Sequence, residues 1–236
     1  MFRLRLIIAG VSALAVAAPA LAVTGGSLDG AAHPAVALVL ADRGNGFEAD
    51  CSGSLVSPTV LVTAAHCASG LASNRVRVTF DSRYVAGSAL LSGTLHADPA
   101  WGTDKNDSHD VAVVVLDQPS NVVPLALPSA GALDTGKLKT QTFTNVGYGL
   151  TDAGAAFDGY RRASTSSFTS LKPTELKLAD ASGGVCFGDS GGPRLLGDVV
   201  VALTSTGNAN CTGQSTSYRL DSPSARSFLA AYVAVP

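Results

Sequence analysis

The 236-residue sequence predicts an all-β protein, a sandwich or barrel that closes on one short helix. Three observations predict it. Short runs of β-branched and apolar residues recur along the chain, clusters of Gly, Pro, Asn, Asp and Ser separate them, and helical periodicity is confined to the end. The runs fall at residues 35–40, 60–64, 76–80, 111–116, 141–146 and 199–205. Such a strand–turn rhythm is that of a sandwich or barrel. Near the C-terminus Ser222 is placed to cap a helix and Pro223 to open it, and Ala225, Phe228, Leu229 and Tyr232 fall on one face. Residues 124–128, bracketed by two prolines, read as the linker between two similar parts, 23–123 and 124–236.

Hydrophobic residues make up 46% of the chain and charged residues only 14%, against about 25% charged in a typical soluble domain. That balance excludes a disordered chain. With 16 basic and 18 acidic residues the net charge is −2 and no basic cluster stands out, so nucleic acid is not an expected partner. A mean hydropathy of +0.28 raises the question of a membrane. Its source is one end of the chain. Arg3 and Arg5 precede an apolar run over residues 6–18, which ends at Ala20-Leu21-Ala22, an A-x-A site. This is the layout of a secretory signal peptide, and the run is shorter than the ~20 residues a membrane span needs. Cleavage after Ala22 removes two arginines and no acid, taking the net charge from −2 to −4. The remainder is expected to be a soluble, exported, extracellular protein with no membrane contact.

Export makes the four cysteines readable as disulfides. Cys51, Cys67, Cys186 and Cys211 allow three pairings, of which the local one, Cys51–Cys67 with Cys186–Cys211, is the simplest. Each short loop so closed stabilises by about 3 kcal/mol in the chain-entropy view. No CxxC or HxxxH spacing supports zinc. Neither metal nor cofactor is expected.

The strongest local motif is Gly188-Asp189-Ser190-Gly191-Gly192-Pro193. Glycines around a serine permit a sharp turn that exposes the hydroxyl and aims neighbouring N–H groups at one spot. Gly188-x-Ser190-x-Gly192 also fits the nucleophile elbow of α/β-hydrolases, but there the histidine follows the serine. Here His33, His66, His96 and His109 all precede Ser190, so the elbow reading fails. A serine hydroxyl needs a base. His66 is the best placed, after a strand that runs into small residues and beside Cys67. His33 and His96 read as surface residues, while His109 abuts the 111–116 strand. A carboxylate must hold the imidazole in the right tautomer. Asp110 opens an apolar strand, where an acid without a partner is costly. Asp104 and Asp107, in a polar loop, read as solvated.

Thr63-Ala64-Ala65-His66-Cys67, His109-Asp110-Val111-Ala112 and the Gly188–Pro193 segment resemble the three signature segments of the trypsin/chymotrypsin-like serine peptidases, in that family's order. The resemblance covers essentially the whole chain after residue 22. It implies two antiparallel six-stranded β-barrels with a short C-terminal helix and a cleft between the barrels. It implies Ser190 as nucleophile, His66 as proton shuttle, Asp110 as its orienting carboxylate, and the Gly188 and Ser190 amides as oxyanion donors. The terminus released by cleavage, Val23-Thr24-Gly25-Gly26, is similar to the one that in this family pairs with the aspartate before the nucleophile, here Asp189. Signal removal then doubles as the activating cut.

The resemblance puts Gly184 at the base of the specificity pocket, with Val185 beside it, Ser205, Thr206 and Gly207 on its wall and Thr216 projecting into it. Gly184 is uncharged where an Asp selects basic side chains, so small to medium apolar P1 residues are expected. Thr206 stands where the family usually has a large aromatic. The stretch Gly147-Tyr148-Gly149 and residues 151–159 read as a surface loop near the cleft. The implied activity is that of a monomeric, secreted serine endopeptidase acting on polypeptides. An esterase-like hydrolase and an inactive binding module on the same fold are the alternatives.

Overall fold

The structure, a computed structural model, describes residues 23–180 and 184–236; the export segment expected over residues 1–22 lies outside the described residues. The strands are β1 (Ser27–Leu28), β2 (Val36–Asp42), β3 (Phe47–Ser57), β4 (Val60–Thr63), β5 (Arg75–Thr79), β6 (Leu91–Ala97) and β7 (Ala112–Leu116). They continue with β8 (Thr142–Gly147), β9 (Arg162–Leu171), β10 (Glu175–Asp180), β11 (Pro193–Leu196), β12 (Val199–Thr206) and β13 (Gln214–Arg219), before the helix α1 (Pro223–Leu229). β2 to β7 close into one antiparallel barrel in the order β2-β3-β4-β7-β6-β5. The next six close into a second, β8-β9-β10-β13-β12-β11, with the β8–β9 pairing completing the ring. β1 pairs with the start of β9, tying the N-terminal segment to the second barrel.

Period-two alternation explains the packing. In β4 and β7, Leu61, Ala112 and Val114 point into the first barrel. Their neighbours Val60, Val62 and Val113 point outward and pack, with Val36 and Val111, against Val146, Leu195, Leu203, Tyr218 and Leu220 of the second barrel. Each such side chain withdrawn from water is worth about 1.5–3 kcal/mol. The barrel seam is therefore a true core. β2 is buried on both faces, since Ala37, Val39 and Ala41 enter the first core while Leu38 and Leu40 lie with Tyr148.

The second barrel differs inside. Arg194 on β11 is fully buried. Its Nε donates to Ser217 Oγ at 2.9 Å and its Nη2 to Ser215 Oγ at 2.7 Å, while its Nη1 donates to Asn145 and lies 3.8 Å from Asp180 Oδ1. Five strands of the ring share this one guanidinium–carboxylate network, as Ser166 of β9 also donates to Asp180.

The linker 124–128 is fastened to both barrels. Leu125 N–H donates to Leu55 O at 2.9 Å and Ala126 N–H to Asp198 O at 3.0 Å. The helix begins where expected, with Ala225 N–H donating to Ser222 Oγ at 3.3 Å and Pro223 at its first position. Ala225 and Leu229 are buried in the seam and Phe228 packs beside them. The helix ends at Leu229, so Tyr232 reaches the same cluster from the turn that follows.

Candidate active site

The 3-10 turn Ala65–Ala68 follows β4, and the Cys51–Cys67 disulfide staples it to β3, with Cα atoms 6.3 Å apart. This fixes His66. Its backbone N–H donates to Asp110 Oδ1 at 2.9 Å, and its ring Nδ1 lies 2.9 Å from Oδ2 and 3.1 Å from Oδ1 of the same carboxylate. Asp110 stands just ahead of β7 and is 2% exposed. From β12, Ser205 donates its hydroxyl to Oδ2. Burial alone would raise the Asp110 carboxyl, but the hydrogen bonds and charge of His66, with the Ser205 hydroxyl, outweigh it and hold the group below the ordinary carboxylate range. With Nδ1 committed to Asp110, the lone pair on Nε2 is the basic position of the ring.

Ser190 sits on a tight turn between Cys186 and β11. Gly188 has φ +97° and Gly191 φ +74°, left-handed values that suit glycine. A Cβ on Gly191 would lie 2.1 Å from Thr63 Oγ1 and 2.7 Å from Ala64 N, so this turn is pressed against the segment that leads into His66. Ser52 of β3 links the two from behind. Its N–H donates to Ser190 O at 2.8 Å, its hydroxyl donates to Gly188 O at 2.8 Å, and its Oγ accepts the Tyr148 N–H at 3.0 Å. His66, Asp110 and Ser190 thus come from three segments and both barrels: Asp110 is bonded to His66, and Ser190 sits on a turn pressed against the segment that leads into His66.

Asp189 is also 2% exposed. It accepts the N–H of Gly149 and of Cys186, both at 2.9 Å. Burial pushes its carboxyl up to about 6, and the two amides oppose that only in part. Val23 is buried, and Thr24 bridges to Gly184, whose N–H donates to Thr24 O at 3.1 Å. The start of the described chain therefore runs beside Gly184.

A cavity of about 310 Å³ opens next to Ser190. The expected wall residues Val185, Ser205, Thr206 and Gly207 line it, together with Phe187, Thr204, Asn208 and the Cys186–Cys211 disulfide. None of these carries a charge. Gly184, expected at the base, and Thr216, expected to project into the pocket, are not among the residues that line this cavity. Gly184 backs onto the Cys211 carbonyl, which a Cβ would meet at 3.0 Å. A bulge at Ser205 sets the register of β12, so that Thr204 pairs with Ser217 and Thr206 with Thr216.

The other histidines are less free than their sequence surroundings suggest. His33 bonds the buried Asp29, His96 stacks on Tyr232 at 5.4 Å between ring centres, and His109 Nδ1 lies 3.1 Å from Asp98 Oδ2. Asp107, expected to be solvated, turns inward and accepts the His109 N–H at 3.0 Å. In the expected surface loop, Tyr148 is buried and donates its hydroxyl to Asp81 O at 2.7 Å. Cys51, His66 and Cys67 bring three potential donor atoms within 4.8 Å of one another. Both sulfurs are joined in the disulfide, which leaves no thiolate for a metal.

Sequence reasoning missed Ser52, Gly149 and the role of Ser205 toward Asp110. Ser52 had one signal, its place next to a half-cystine; a backbone amide such as that of Gly149 has none.

A family model described as Trypsin matches residues 24–226. The chain is 29% identical over 196 residues to a trypsin of Saccharopolyspora erythraea, covering 74% of this chain and 82% of that one. It is 32% identical over 181 residues to a chymotrypsin of Phaedon cochleariae, covering 68% and 64%. Glucanase inhibitor protein 4 of Phytophthora infestans is 28% identical over 189 residues, covering 67% and 69%. A solved structure described as "Structure of GrC" superposes with a TM-score of 0.71 at 19% identity, covering 88% of this chain and 97% of that one, a likeness of fold.

Proposed function

The chain belongs to the trypsin family of serine proteases, and from that premise we propose that it is a secreted endopeptidase working through Ser190, His66 and Asp110. The observation that carries the proposal is the Asp110 carboxylate: buried, ionised, and bound to both the backbone and Nδ1 of His66. A carboxylate so placed fixes the tautomer whose Nε2 can take a proton and steadies the imidazolium that results.

In this reading Ser190 Oγ attacks the scissile carbonyl carbon while its proton passes to His66 Nε2. The carbonyl oxygen, now negative, accepts the N–H groups of Gly188 and Ser190, each worth about 10²–10³ in rate. The C–N bond breaks as His66 returns the proton to the leaving amine. Water, deprotonated by His66, then attacks the acyl-enzyme and releases the acid product. The uncharged wall beside Ser190 favours small to medium apolar P1 side chains over basic ones.

Cleavage after Ala22 frees the Val23 amine, which pairs with Asp189. A buried carboxyl that two amides and the charge of Arg194 leave raised is what such a cation suits. The two disulfides fit an oxidising extracellular setting, and the partner is polypeptide substrate met by a monomer. Among the described residues no helix is long and apolar enough to cross a membrane.

Two relatives carry the name glucanase inhibitor protein, which gives weight to a second reading, a binding module on this fold. Digesting a peptide library with the chain beginning at Val23, beside its Ser190→Ala variant, decides. Cleavage after apolar residues that vanishes in the variant is expected. Cleavage confined to Lys and Arg contradicts the pocket assignment, and no cleavage at all contradicts the enzyme.

A further inference from the structure

The backbone that presents Asp110 is held in an uncommon shape. His109, the residue before it, has φ +49°, a region that few residues with a side chain occupy and that persists where surroundings impose it. The following peptide closes a tight turn around Asp110, with Val111 N–H donating to His109 O at 2.8 Å.

The surroundings that impose it are two carboxylates. His109 Nδ1 lies 3.1 Å from Asp98 Oδ2, its Nε2 lies 3.7 Å from Asp107 Oδ2, and its backbone N–H donates to Asp107 Oδ1 at 3.0 Å. Both acids are anchored in turn. Asp98, directly after β6, donates its N–H to Val111 O at 2.9 Å and accepts the Ala100 N–H at 2.9 Å. Asp107 faces the hydroxyls of Ser224 in α1 and Tyr218 in β13, which lie 3.0 Å from each other. A chain of contacts thus runs from the C-terminal helix through Asp107 and His109 to the backbone of Asp110. His109 touches neither His66 nor the cavity wall in any of these contacts.

We propose that His109 is a positioning residue: by bridging Asp98 and Asp107 it holds the left-handed backbone that aims Asp110 at His66. The proposal rests on the reading of Asp110 as the carboxylate that orients His66. Misplacing a catalytic group by about 1 Å costs on the order of 10²-fold in rate.

The test compares peptide turnover by the chain beginning at Val23 with that of His109→Ala, His109→Asn and Asp98→Ala. Asparagine tolerates positive φ and can donate to a carboxylate; alanine does neither. We expect His109→Ala to lower kcat by ~10- to 100-fold with KM within about twofold. His109→Asn should recover most of the loss. Asp98→Ala should show the same kcat signature, and the double variant should lose no more than His109→Ala alone. If His109→Ala fails to fold, Asp98→Ala carries the test. Wild-type kcat in the folded variants, a loss confined to KM, or no recovery with Asn would overturn the proposal. Absence of turnover by the unaltered chain would instead overturn the reading of the site beneath it.

Discussion

Asp110 of the first barrel and Asp189 of the second are equally sealed from solvent, at 2% exposure each, yet their carboxyls move in opposite directions. Burial raises both. At Asp110 the His66 ring and backbone and the Ser205 hydroxyl outweigh it, and the group falls below the ordinary range. At Asp189 the partners are two backbone amides, and the group stands at about 6. The difference teaches what each site lacks. The first is satisfied by side chains of the chain itself, the His66 ring and the Ser205 hydroxyl. At the second, two amides and the charge of Arg194 leave burial dominant, and the partner proposed for it is the amine freed at Val23.

The largest expected effect breaks the comparison at its complete side. Asp110→Asn keeps the shape but lets the amide hold His66 in the wrong tautomer, and kcat should fall by roughly 10⁴-fold with the fold intact by circular dichroism. A loss under tenfold would show that the pair is structural.

The next sharpens the incomplete side through pH. With Ala22 still attached to Val23, the folded chain holds the Asp189 proton more tightly than the unfolded chain, whose carboxyl titrates near 3.8. That contribution to stability is present below about pH 4 and is lost as pH rises through about 6. The roughly two-unit shift corresponds to about 3 kcal/mol. Urea unfolding of the leader-bearing chain between pH 4 and 7 should show this decline. A chain beginning at Val23 should lack it, because the new ammonium favours the carboxylate. Identical pH profiles for the two forms would break the contrast.

The smallest effect removes one partner from Asp110. Ser205→Ala deletes a hydrogen bond to a charged acceptor, about 1.5–3 kcal/mol. The deficit should be fully present at neutral pH and shrink on acidification, since a carboxyl held below its unfolded value contributes above that value and loses the contribution as pH falls. Turnover should drop by no more than about tenfold, and a larger drop would give Ser205 a direct part in catalysis.

How much of this was legible depends on whether side chains or backbone carry it. β2, β4, β5, β7, β8 and β12 are visible as apolar runs because each is buried on at least one face. β3 and β9 are not. β3 begins with Phe47-Glu48-Ala49-Asp50, and β9 reads Arg162-Ala163-Ser164-Thr165-Ser166-Ser167 because it lines a polar interior. That interior is organised by Arg194, whose burial no local pattern announces. The His66–Asp110 contact and the two disulfides were legible because they are written in side chains at telling spacings. The Gly149 amide, the bulge at Ser205 and the left-handed His109 were not, because backbone direction follows from contacts between residues far apart in the chain.

The central claim is that Ser190 is a nucleophile activated by His66. It is tested most directly by treating the chain beginning at Val23 with an organophosphonate and weighing the intact protein. A single adduct on Ser190, lost in His66→Ala and greatly slowed in Asp110→Asn, is the predicted result. No adduct, or labelling that His66→Ala leaves unchanged, would contradict it.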